Sequence, residues 1–170
     1  MRNLIQQLRE HGYDDLPDRI EAMEKFYNND SLTYCEKVRP ILALLLTEIE
    51  NIVEVDNSSI QNYRCRIVAL YRKRNRLIDG KLYNELQILR TLGNKYAHQD
   101  QKKITPEQDK KTIKTSICCI VERLLKLSTE YEEWKKENQS RNQGCFVGTI
   151  FVAVLGAIVA IVFALIGKNK

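Results

Sequence analysis

Glycine and proline are scarce, seven and three in 170 residues, which leaves little of the turn chemistry that hairpins need. No stretch alternates apolar and polar residues as a half-buried strand does. The two absences together predict an all-α protein. The five cysteines, Cys35, Cys65, Cys118, Cys119 and Cys145, contain no C-x-x-C pair, and no nearby histidine completes a zinc set. An odd number of scattered cysteines fits reduced thiols in a reducing compartment. The N-terminus, MRNLIQQLREHGYDD, lacks the apolar core of a secretory signal. No nucleotide-binding loop, metal cluster or nucleophile triad is present, so no cofactor is expected. The net charge of +5 falls to +3 over residues 1–144, with 25 basic and 22 acidic residues. That is too mild to imply nucleic acid from charge alone.

What is there is helical periodicity. Leu4, Ile5 and Leu8 predict a short first helix stopped near Gly12. Pro17 suits a second start, with Ile20, Met23 and Phe26 following until Asn28-Asn29-Asp30. Asp30 or Ser31 can cap a third helix with the stripe Val38, Ile41/Leu42, Leu45, Ile49 and Ile52/Val53, which Pro40 either kinks or begins. A fourth runs from about Ile60 to Ile78, capped by Ser58 or Ser59. Tyr63, Ile67, Leu70, Tyr71, Leu77 and Ile78 fall on one side of it, and Arg64, Arg66, Arg72, Lys73 and Arg76 on the other. That basic side is either a solvated face or a phosphate-facing surface. Arg74 projects from the apolar side, as a snorkelling edge residue or a cation between helices.

Asp79-Gly80 turns the chain into a helix whose packing stripe is Leu82, Leu86, Leu89, Gly93 and Tyr96. Gly93 lies in that stripe, where a missing side chain lets another backbone approach. Arg90, Asn94 and His98 border it at four-residue spacing, as caps and loop contacts or as site residues. Thr105-Pro106-Glu107-Gln108 is a helix start. The helix it opens continues to about Glu137 with a heptad seam, Ile113, Ile117, Ile120, Leu124, Leu127, Tyr131 and Trp134. The seam is either one side of an intramolecular bundle or the place where two copies pair.

Asn138 to Gly144 reads as a polar linker. Cys145–Gly167 then runs without a charge, long enough as a helix to span a bilayer of about 30 Å. A short tail, 168–170, follows. The expectation is a tail-anchored, single-pass membrane protein with its helical domain, 1–137, in the cytoplasm.

Gly93-Asn94-Lys95-Tyr96-Ala97-His98, followed by Thr105-Pro106-Glu107, resembles the HEPN superfamily. The nearest branch is one of uncharacterised domains with the signature R-x-x-G-N-x-x-A-H and then T-x-E/D, at Arg90, Gly93, Asn94, Ala97, His98, Thr105 and Glu107 here. The resemblance covers roughly residues 30–137 and implies a bundle of four to five helices, usually dimeric. Active members are metal-independent RNases in which a histidine moves protons at the ribose and an arginine stabilises the phosphate. Gly93 stands where those members carry the arginine. The resemblance therefore implies, first, a membrane-anchored, non-catalytic HEPN-like module that dimerises and binds RNA or a partner protein, in prokaryotic defence or stress response. The alternative it implies is a membrane-tethered endoribonuclease, with His98, Asn94 and Arg90 catalytic and an arginine, Arg90 or Arg74, supplied across the dimer. Arg72, Lys73, Arg74 and Arg76 are the candidate binding residues; no metal and no cofactor are expected.

Overall fold

The computed structural model describes residues 1–98 and 105–167, with side chains as far as Gln139. Seven helices follow in order: α1 Arg2–Glu10, α2 Asp15–Glu24, α3 Ser31–Glu36, α4 Val38–Ile52, α5 Tyr63–Lys73, α6 Gly80–Ala97 and α7 Pro106–Gly167. The chain divides into two compact units, Met1–Tyr131 and Glu132–Lys170. In the first, α1 to α6 form an all-α six-helix bundle in which α4 packs most extensively on α6. The part of α7 up to Tyr131 adds its seam to that core: Ile113, Ile117, Ile120, Leu124, Leu127 and Tyr131 are each no more than 3 % exposed. In the second unit, Asn138 Nδ2 donates back one turn to the Trp134 carbonyl at 2.7 Å, and Lys135 pairs with Glu132 at 2.8 Å.

Local chemistry sets the boundaries. Gly12, at φ +80°, ends α1. Asp30 caps α3 by accepting from the Thr33 amide at 2.9 Å and from its hydroxyl at 2.6 Å. Pro40 neither kinks nor breaks a helix. It is the third residue of α4, inside the first turn, where an amide hydrogen has no intrahelical partner to lose. The expected bundle of four to five helices is thus corrected to six ahead of α7, because Lys37 separates α3 from α4 and both N-terminal helices form. The fourth expected helix is also shorter than its periodicity suggested. Its cap is Asn62, accepting from the Arg64 and Cys65 amides, and it stops at Lys73 because Arg74 leaves helical geometry (φ −138°, ψ 42°). The stretch expected as a linker, 138–144, is helical within α7; it holds no proline, and an established helix propagates readily.

The membrane topology is corrected as well. Among the described residues no helix is long and apolar enough to cross a membrane. A span needs about 20 consecutive apolar residues, whereas α4, the most apolar helix of the bundle, has 15 residues including Arg39, Glu48 and Glu50. The expected span, Cys145–Gly167, is helical, but its side chains lie outside the described residues. Tail anchoring, the membrane as a partner and the cytoplasmic placement that depended on it are therefore not upheld. Of the two readings of the heptad seam the intramolecular one holds: up to Tyr131 the seam is buried within one chain, so it is not free to pair two copies.

Candidate functional site

The α6 stripe packs as its spacing dictates: Leu82, Leu86, Leu89, Gly93 and Tyr96 are all buried. At Gly93 the neighbour is Arg39 of α4, whose N, Cα and Cβ atoms lie 3.5 Å from where a Cβ would sit. The residues bordering the stripe behave separately. Arg90 is held along its own helix, Nε donating to Gln87 Oε1 at 2.7 Å and Nη2 to Thr91 Oγ1 at 3.2 Å. The Asn94 carbonyl accepts from the His98 amide at 3.1 Å, so that His98 ends α6 with its ring exposed. Among the described residues no hydrogen bond links the side chains of Arg90, Asn94 and His98.

The neighbouring motif positions form a lock between α6, α3 and the start of α7. Lys95 Nζ and Tyr96 Oη both donate to Asp109 Oδ2 at 2.6 Å, and Thr105 Oγ1 donates to the same oxygen at 3.3 Å. Burial alone would raise the Asp109 carboxyl, but the bonds from Lys95 and Tyr96 and the Lys95 charge outweigh it and hold its pKa below the usual range. Burial pushes the Tyr96 phenol upward, and its bond to Asp109 adds to that. Burial also pushes the nearby Cys35 thiol up to about 11, so it stays protonated at neutral pH. Glu107 accepts from Ser31 and pairs with Lys110 at 2.7 Å. Lys110, buried itself, reaches the Tyr27 carbonyl at 3.1 Å.

The basic side of α5 is divided by the fold. Between Tyr63 and Ile78 the sequence holds six basic residues and no acidic one. Arg66 turns inward and pairs with both oxygens of buried Glu50, which also accepts from Asn57 at 3.1 Å. Lys73 donates to Asn57 Oδ1 at 3.2 Å and to the Asp56 carbonyl at 3.4 Å. Arg74 lies between helices, Nε donating to the Val53 carbonyl at 3.1 Å and the guanidinium 5.9 Å from the Tyr131 ring. Arg64, Arg72 and Arg76 are exposed and make no hydrogen bond or ion pair among the described residues. Beside Arg72, exposed Tyr71 meets Tyr83 of α6 with ring centroids 4.8 Å apart. Of the candidate binding residues, then, Arg72 and Arg76 face outward, while Lys73 and Arg74 tie the bundle together.

No family model, curated protein or solved structure matches the chain. Nothing in these comparisons identifies HEPN, and among the described residues no helix is long and apolar enough to cross a membrane. The membrane-anchored HEPN-like module, its RNA or protein partner and the tethered-ribonuclease alternative are accordingly not upheld. Sequence reasoning missed the Glu50–Arg66–Asn57 cluster and Arg39. For Glu50 a signal existed: it sits one turn after Leu46 on the flank of the α4 stripe, where a carboxylate needs a cation. For Arg39 the signal was Gly93, which announced a close neighbour without naming it.

Proposed function

We propose that this protein is a recognition module for phosphate-bearing polyanions, working through the outer face of α5. One observation carries the reading: the fold compensates Arg66, Lys73 and Arg74 with partners of its own and, among the described residues, leaves Arg64, Arg72 and Arg76 outward and uncompensated. Cations that served stability alone would gain from partners within the chain, as the first three do. Guanidinium groups suit phosphate, because their planar fork donates two parallel hydrogen bonds to its oxygens. The acid-free stretch from Tyr63 to Ile78 keeps like charge from repelling the ligand along the helix.

Long-chain inorganic polyphosphate titrated into the full chain tests this. Binding is expected to weaken with salt, and the Arg72→Gln/Arg76→Gln pair should lower affinity roughly tenfold or more while making the salt slope shallower by about 1 to 2. Unchanged binding by that double variant, with an unchanged melting temperature, would remove α5 as the site.

A further inference from the structure

We infer that Arg39 of α4 is a further binding residue of this site, and that the site is two-ended, taking an extended chain of phosphates in preference to a single phosphate. The inference rests on the polyanion reading above and adds to it the shape of the ligand. Arg39 is exposed, yet both of its ends are fixed. Its backbone packs against α6 at Gly93, 3.5 Å from the missing Cβ, and its guanidinium stands 5.8 Å from the centroid of the Tyr63 ring. Tyr63 is the first residue of α5, so the α4–α6 contact delivers a cation to the first turn of the basic helix. Exposed Arg64 is the next residue along.

Arg72, in the last turn of α5, lies nine residues from Tyr63, about 13 Å along the axis at 1.5 Å per residue. Arg39 and Arg64 thus mark one end of α5 and Arg72 the other, with Arg76 in the turn that follows. The interval exceeds the Debye length of about 8 Å at physiological ionic strength, so the two ends do not act on one small anion together. A single phosphate occupies one end at a time. A chain long enough to reach both makes its second contact intramolecularly, and its affinity rises without any new kind of contact. No acidic residue of α5 interrupts the path.

The experiment is a length series with the full chain: orthophosphate, tripolyphosphate and long-chain polyphosphate, with and without Arg39→Gln. The expected result is a step of roughly 10²-fold in affinity once the chain spans both ends. Arg39→Gln should lose most of that step, Arg39→Lys should restore part of it, and tripolyphosphate affinity should change by no more than about twofold. Arg64→Gln, at the same end, should repeat the loss and serves if Arg39→Gln folds poorly. A long-chain affinity indifferent to both substitutions, or the absence of any length step, overturns the two-ended site; sensitivity to Arg72→Gln/Arg76→Gln would then keep the polyanion reading. No polyphosphate binding by the unaltered protein overturns both.

Discussion

Glu50 keeps only 8 % of its side chain exposed, with Arg66 at 14 % across from it. A carboxylate so placed is tolerated because Arg66 and Asn57 occupy its oxygens, and removing one partner leaves a buried charge without compensation. Arg66→Met should therefore cost about 3 kcal/mol or more in urea unfolding, and adding Glu50→Leu should recover most of the loss. A double variant as unstable as the single one would show that Glu50 matters for more than its charge balance. This pair also marks where residue-level reading of the sequence stops. Arg66 lies about 120° around α5 from Arg72, at the border of the apolar side, and the helical angle alone leaves its direction open. What turns it inward is Glu50 of α4, which accepts from Arg66 and also from Asn57 of the loop 53–62, and no local pattern encodes which cation that carboxylate meets. Gly93 is the opposite case: its place in the α6 stripe was legible, and so was the close backbone it implies.

At the scale of elements, α1 and α4 end in the same way with different residues. In α1 the Gly12 amide donates to the Arg9 carbonyl and the Tyr13 amide to Leu8, with Gly12 at φ +80°. In α4 the Glu54 amide donates to Asn51 and the Val55 amide to Glu50, with Glu54 at φ +50°. Both are Schellman ends, which place one residue in the left-handed region. Gly12 announces its end in sequence; Glu54 does not, because a left-handed conformation disfavours any residue with a Cβ by about 1–2 kcal/mol. Tyr131 helps to hold it there by donating from Oη to Glu54 Oε2 at 3.1 Å. Glu54→Gly should be nearly neutral in thermal unfolding, since relief of the backbone offsets the lost contact, and Glu54→Ala should be about 1 kcal/mol less stable than Glu54→Gly. Equal stability of the two variants would mean that the left-handed residue is not what costs. The length of α5 was misjudged for a related reason. Leu77 and Ile78 continue its apolar period and are buried, but Arg74 leaves the helix to bond the Val53 carbonyl.

For the whole molecule, the bundle is closed by contacts between residues far apart in sequence. Lys114 pairs with Glu24 at 2.5 Å, Lys110 reaches the Tyr27 carbonyl, and Arg123 donates to the Leu77 carbonyl at 3.0 Å. The apolar seam of α7 could be read in sequence, but its partners could not, so the choice between pairing within one chain and pairing two chains needed the fold. Two carboxyl groups in this closed bundle respond to acid with opposite sign. Asp109 titrates below its ordinary range, so its stabilising contribution is complete above the unfolded pKa and is lost as pH falls through the lower folded value. Glu48 titrates above its range, through burial first and then the nearby Asp15 and Asp14. Its contribution is complete below the unfolded pKa and is lost as pH rises through the higher folded value. Near neutral pH, Asp109→Asn should thus be less stable than the unaltered protein and Glu48→Gln more stable. Both differences should shrink as the pH is lowered toward about 3, because both carboxyl groups approach the neutral state that the amides imitate. Urea midpoints for the three proteins across that range supply the check. A Glu48→Gln variant less stable at neutral pH, or an Asp109→Asn deficit that persists in acid, would mean that shape and hydrogen bonding at these positions outweigh their charge.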